Sequence, residues 1–144
     1  MLNLQMTPSE RDAFLEHPYI GVFAVNEPGR GACAVPVWYL YEPQGPLRIT
    51  AGADSNKVRL LRQEGRASVC IQREALPSAY VTVEGPVSIR DTDVEELQRT
   101  IAIRYLGEKN AEKYLARFAN GLQNEVTLEL SPQRWWSADF SKLK

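Results

Sequence analysis

The 144-residue chain has a single histidine and two cysteines, and these shortages remove several kinds of chemistry at once. A nucleophile-and-base pair needs a histidine or its equivalent beside a serine or cysteine. The one candidate, His17, falls beside Pro18 at the expected end of a helix, where its fitting role is to complement the helix C-terminus. Cys33 and Cys70 are too far apart in sequence for a disulfide scaffold or a zinc site, and both sit in apolar runs, so buried thiols are expected. No group of His, Cys, Asp and Glu has metal-ligand spacing, so no metal is expected. No apolar run approaches the ~20 residues of a membrane span, and no charged-then-apolar leader precedes a small-residue cleavage site; a cytoplasmic location without a membrane partner is therefore expected. A net charge of −1 lacks the basic surface that general nucleic-acid binding draws on. The Gly-Lys-Ser/Thr of a Walker loop and the three spaced glycines of a dinucleotide fingerprint are also missing, which turns the expectation away from ATP and NAD. There is no internal repeat or low-complexity segment. The length suits a single domain over residues 1–144, able to bury roughly two-thirds of its unfolded surface around one core.

What is present reads as strands with a few helices. Thr7-Pro8-Ser9-Glu10 is a capping box with proline at the first helical position, predicting a helix that ends near His17-Pro18. Tyr19 to Asn26 and Ala32 to Tyr41 read as strands of a hairpin across Glu27-Pro28-Gly29-Arg30-Gly31. A second turn at Glu42 to Pro46 leads into Leu47 to Ala51, which would complete a meander of three strands before a helix from Asn56 to Glu64 that Gly65 stops. Arg66 to Gln72 and Tyr80 to Ile89 are two further strands. Asp91-Thr92 is expected to cap a helical region split at Leu106-Gly107. Its first half buries Val94, Leu97, Ile101 and Tyr105, and its second, from Ala111 to Ala119, is ended by Gly121. Val126 to Leu130 alternates as a last strand, and the residues after Pro132 are expected as a polar tail. This order predicts a small, mainly β, antiparallel barrel with peripheral helices rather than a doubly wound sheet.

One stretch carries a chemical suggestion. Arg48 to Arg62 runs from a strand through a tight loop into the first turn of a basic helix, and a helix start offers unpaired backbone N–H groups and the positive end of its dipole. Thr50 closes the strand, and Ser55-Asn56-Lys57 adds a hydroxyl and an ammonium in that same turn, so a phosphate would fit. The same residues also suit a helix capped by Ser55 with a solvated basic face. Beside the corner lies Pro36-Val37-Trp38-Tyr39-Leu40-Tyr41, in which proline marks an edge or bulge where a ligand can approach the backbone. Alternation would put Val37, Tyr39 and Tyr41 on one face and Trp38 and Leu40 on the other. These aromatics and the tandem Trp135-Trp136 equally suit a core and an interface. The carboxylates Asp91, Asp93, Glu95 and Glu96 sit where a helix dipole stabilises them and suggest no acid–base pair.

Taken together, Pro36-Val37-Trp38-Tyr39, Ile49-Thr50-Ala51-Gly52, Asp54-Ser55-Asn56-Lys57-Val58-Arg59, Arg66-Ala67-Ser68-Val69 and Tyr80-Val81-Thr82-Val83-Glu84-Gly85 resemble the pyridoxamine 5'-phosphate oxidase-like split-barrel flavoprotein family. The resemblance runs from the first helix to Asp139-Phe140. It implies a six-stranded split β-barrel that forms a homodimer, with a flavin-type cofactor in each of two interface clefts. The family's ring-binding strand corresponds to Val35, Pro36, Val37 and Trp38, and its phosphate ligands match Thr50, Ser55 and Lys57, with Asn56 in the same turn and an arginine such as Arg59 assisting. True pyridoxamine phosphate oxidases end in an arginine- and histidine-containing segment that holds the substrate. Here Trp135 to Lys144 takes that place, so vitamin B6 oxidation is not the expected activity. Shorter relatives use FMN or the deazaflavin coenzyme F-420, and both cofactors remain open. The basic residues between Arg48 and Arg73 could receive the acidic polyglutamate tail of F-420. The expected function is an oxidoreductase passing hydride to or from a small organic substrate, with Tyr80 as proton donor and Trp136 of the partner walling the cleft. Two alternatives are a module that senses or stores FMN without turnover, and an apo dimerisation module. The lack of a His or Cys ligand beside the site argues against haem.

Overall fold

The computed structural model describes residues 3–118 and 123–143. It opens with helix α1 (Pro8–Leu15), begun by the expected capping box: Glu10 N donates to Thr7 Oγ1 at 3.2 Å and Thr7 N to Glu10 Oε1 at 2.9 Å. Strands β1 (Gly21–Val25) and β2 (Cys33–Val37) then form the expected hairpin. The single strand expected from Ala32 to Tyr41 is broken, because β2 stops at Val37 and β3 is only Leu40–Tyr41. Tyr39 causes the break. Its ring is fully buried, its hydroxyl donates to the carbonyls of Leu15 and His17 at 3.3 and 2.8 Å, and its N–H goes to Tyr105 Oη at 3.1 Å instead of a strand partner. The alternation expected across this segment survives the break: Val37, Tyr39 and Tyr41 pack in or against the core, whereas Trp38 and Leu40 do not. The expected meander is also corrected: β4 (Leu47–Gly52) pairs with β3 and with β7, and not with β2.

Helix α2 (Asn56–Glu64) has the expected bounds and buries Val58, Leu60 and Leu61. It is closed by Gly65, whose left-handed φ of 72° lets its N–H reach Leu61 O at 2.8 Å. Strands β5 (Arg66–Arg73) and β6 (Ala79–Arg90) follow, pairing antiparallel and alternating Ala67, Val69, Ile71 and Ala79, Val81, Val83 into the core. Helix α3 (Val94–Leu106) starts from Asp93 in a left-handed conformation without a side-chain cap, which replaces the cap expected from Asp91-Thr92. Helix α4 (Glu108–Arg117) begins directly after Gly107, earlier than Ala111, since Glu108 suits a first turn. The expected stop at Gly121, and Ala119 before it, lie outside the described residues. Strand β7 (Glu125–Leu130) is followed by β8 (Arg134–Asp139) and a 3-10 turn over Phe140–Lys142, so the expected polar tail is instead an ordered strand against β6. Tandem Trp135-Trp136 splits across it. Trp135 packs edge-on to Tyr41 under Arg11, whereas Trp136 faces outward.

The strand order is β2-β1-β5-β6-β7-β4-β3, with β8 added on β6. Strands β2, β1, β5, β6, β7 and β4 make the curled antiparallel frame of a split barrel, and the helices lie around it. The cysteines are free and half-buried rather than fully buried: Cys33 packs against the edge of the core, and Cys70 alternates to the other face of β5 from Val69 and Ile71. Among the described residues no helix is long and apolar enough to cross a membrane.

Strand β6 serves three partners: its first part pairs with β5 and β8, and Val87 to Arg90 pair with β7. Gly85 makes the change possible, since a Cβ there would lie 1.8 Å from the Ser131 carbonyl oxygen. Ser131 N and Gln133 N bond to Pro86 O and Glu84 O, each at 2.9 Å, and lock the crossing. Backbone cannot retreat as a flexible side chain can. Gly85→Ala is therefore expected to lower stability by about 3 kcal/mol or more in urea titrations. Gly31→Ala, with nothing within 4 Å of its added methyl group, should shift stability by no more than about 0.5 kcal/mol.

Candidate functional site

A cleft of about 400 Å³ opens between two walls. One wall carries Pro36, Val37 and Trp38 from the end of β2, Thr50 from β4 and Lys57 from α2; the other carries Gln98, Ile101 and Ala102 from α3, Tyr114 from α4 and Glu125 from β7. Ile20 stands at its rim.

The aromatic side is held by a network spanning the end of α1, the link between β2 and β3, and α3. Trp38 stacks on Tyr105 with ring centroids 5.0 Å apart and planes 7° off parallel, and meets Tyr114 at 5.5 Å and a tilt of 44°. Tyr105 is fixed in turn, donating from its hydroxyl to Tyr19 O at 2.7 Å while accepting from Tyr39 N. Arg104 donates to the carbonyls of Leu15, Glu16 and His17 at 2.8, 2.7 and 2.8 Å and lies over the rings of Tyr39 and Tyr105. It supplies a cation at the α1 C-terminus beside His17, which takes its expected place there with Nδ1 bonded to Ala13 O at 3.3 Å. Burial pushes the phenols of Tyr39 and Tyr105 above the ordinary value. Tyr114 is raised by burial and then by the nearby charge of Glu125, so all three remain neutral hydroxyls at physiological pH.

The opposite corner lacks partners. Ser55 takes the N-cap position of α2 in extended conformation, yet its side chain makes no cap bond and its Oγ is buried without a partner. The capping role open to Ser55 is thereby excluded. There is no acidic residue in the first turn of α2, and Lys57 makes no ion pair or hydrogen bond with another described residue. Ser55 does not itself line the cleft, but its orphan hydroxyl and the first-turn N–H groups adjoin Lys57, whose free ammonium does line it with Thr50, and the set fits a phosphate in charge and hydrogen-bonding type.

The other expected site residues are placed differently. Asn56 and Arg59 bond to each other, with Asn56 Nδ2 directed at Cys33 Sγ (3.7 Å) and Arg59 held 3.8 Å from Glu27, so both turn toward the β1–β2 turn rather than the cleft. Val35 packs against the core from β2. Tyr80 and Trp136, 38% and 48% exposed, lie on the outer face of the sheet and do not line this chain's cleft. That face nevertheless reaches the cleft. Cross-strand register sets Trp136, Thr82, Cys70, Val22 and Pro36 side by side, and Pro36 belongs to both.

Gln98, Tyr114 and Glu125 were not singled out from the sequence. Gln98 donates to Glu125 Oε1 at 2.9 Å. A signal existed for it, a long polar residue one turn from both Val94 and Ile101 in an apolar stripe, and thus on the buried face of α3.

Residues 7–139 match the family model for pyridoxamine 5'-phosphate oxidase. The chain belongs to that family. None of the curated proteins matches its sequence. Among solved structures, a conserved hypothetical protein from Mycobacterium tuberculosis superposes with a TM-score of 0.82 at 19% identity, covering 99% of this chain and 91% of that one. An F-420 reductase gives 0.70 at 19% identity, over 87% of this chain and 94% of that one. An FAD-binding protein from Mesorhizobium loti gives 0.64 at 18% identity, over 92% of each. At these identities the likeness is one of fold, and the fold is the split barrel.

Proposed function

We propose that this family member binds a phosphorylated flavin-type cofactor, FMN or F-420, and works as an oxidoreductase on a small organic substrate. The observation that carries the reading is the unpartnered Ser55 Oγ at the N-cap of α2, two residues before Lys57, which lines the cleft together with Thr50 and Trp38. Family membership and the split-barrel likeness to an F-420 reductase and an FAD-binding protein support the class of cofactor. When bound, the cofactor supplies hydride chemistry. The chain's own residues do the rest. Lys57, Ser55 and the hydroxyl of Thr50 hold the phosphate, assisted by the first-turn N–H groups at Asn56. The edge strand from Val35 to Trp38 offers a flat platform and unpaired backbone groups, and the Trp38–Tyr105 stack keeps that platform rigid. Arg59 acts through Asn56 rather than on the ligand.

A second reading, FMN binding for sensing or storage without turnover, is favoured by one observation: Tyr80, the expected proton donor, is not in its own chain's cleft. Tyr80 and Trp136 could serve a cleft only from a partner subunit, and the apolar row from Trp136 to Pro36 suits an isologous dimer that brings them there.

Titration with FMN and with F-420, followed by absorbance, tests the cofactor. Binding below millimolar concentration by at least one is expected, and binding by neither overturns the reading. Neutralising Arg59 and Arg62 together should leave FMN affinity within about twofold, because one is engaged by Glu27 and the other is exposed. If F-420 is the ligand, its affinity should instead fall in the double variant and with added salt.

Light scattering is expected to give a dimer. Trp136→Ala should lower cofactor affinity more than it lowers the melting temperature of the apo dimer, whereas a purely structural tryptophan would do the reverse. A monodisperse monomer that binds FMN tightly would refute the shared cleft.

A further inference from the structure

We propose that the wall built by α3, α4 and β7 is a subsite of its own, in which Glu125 receives the cationic end of a small planar amine or amidine whose ring lies against Tyr114, next to Trp38 of the facing wall. It rests on the cofactor reading only in giving the opposite wall to the phosphate.

Glu125 is a half-buried carboxylate at the first position of β7, across from Gly52 of β4. Its one protein hydrogen bond comes from a neutral amide, that of Gln98, and its other oxygen takes none from a described residue. Other acidic residues of the chain are treated differently: Glu10, Glu42, Glu129 and Asp139 each hold an arginine or lysine. The cation that shares the cleft is Lys57, and the two make no ion pair. Around Glu125 the wall is Ile101, Ala102 and the Tyr114 ring. Gln98 meets one oxygen of this half-buried carboxylate and leaves the other for a cation or N–H donor, so the cleft offers an open acceptor on this wall and the free ammonium of Lys57 on the other.

Shape narrows the ligand. Trp38 is fixed from behind by Tyr105 and tilted against Tyr114, which leaves aromatic surface for a flat body and adds attraction for a cation near the ring faces. An amidinium or protonated amine at the end of that body can bond to the open Glu125 oxygen, and an amidinium fork matches a carboxylate in two parallel bonds. Tyr114, kept neutral by burial and by the Glu125 charge, adds a hydroxyl that can donate to or accept from the same ligand.

Calorimetric titration with benzamidine, neutral benzamide and benzoate tests this on the unmodified protein and on Glu125→Gln. Benzamidine is expected to bind the unmodified protein about tenfold or more tightly than benzamide, and the advantage should vanish in Glu125→Gln. Equal affinity for benzamidine and benzamide in the unmodified protein overturns the subsite without reliance on any variant, as does an undiminished preference in a folded Glu125→Gln. Parallel titrations with FMN and F-420 separate the two readings. Benzamidine selectivity without binding of either cofactor would sink the cofactor and leave this subsite, and binding of one of them without selectivity would do the opposite.

Discussion

The close approach of the Ser131 carbonyl to the backbone of Gly85 is the constraint on which the rest of the molecule depends. It lets one strand, β6, pair with β5 and β8 and then pass to β7, so that two curled halves share a single member. From there the dependence runs outward in order. Strand β7 holds β4 residue by residue from Leu47 to Gly52, β4 ends at the loop that leads through Ser55 into α2, and α2 presents Lys57 to the cleft. A shift at Gly85 would be transmitted along that series as far as α2, because its steps are two backbone ladders and then the continuous chain from β4 into α2.

Two helix ends in this structure are treated in opposite ways, and the contrast separates scaffold from site. The carbonyls at the end of α1 are satisfied by Arg104 and by the Tyr39 hydroxyl, in a network that also fixes Tyr105 and hence Trp38. The start of α2 has no side-chain cap, no acidic residue and a buried hydroxyl with no partner. An orphan hydroxyl of that kind costs about 1–3 kcal/mol in a folded protein. The first end is satisfied from within the chain, and the second is where the proposed phosphate would find its donors. The facing wall repeats the pattern with opposite sign at Glu125, so the cleft is polarised between an ammonium and a carboxylate.

What the sequence made legible was local. The capping box at Thr7, the bounds of α2 and its stop at Gly65 follow from signals within a few residues, and the corner from Thr50 to Lys57 was visible because a strand, a tight loop and a basic first turn adjoin in sequence. What was missed depends on distant partners. Strand β8 carries Arg134, Ser137 and Asp139 and shows no apolar alternation; it is a strand because β6 offers an edge. The break at Tyr39 depends on Tyr105 and on the end of α1, neither of which the local pattern reveals. The second wall of the cleft was hidden for the same reason. Gln98, Tyr114 and Glu125 come from three elements whose meeting is decided by tertiary packing.

The central claim is that the open start of α2 is a phosphate site, and the affinity gap between FMN and riboflavin measures it most directly, since the two ligands differ only in the phosphate. The account predicts that FMN binds the unmodified protein about tenfold or more tightly than riboflavin, and that Lys57→Ala, losing roughly 1–3 kcal/mol of charge-assisted bonding, closes the gap. Equal affinities in the unmodified protein, or a gap that survives Lys57→Ala intact, would contradict it.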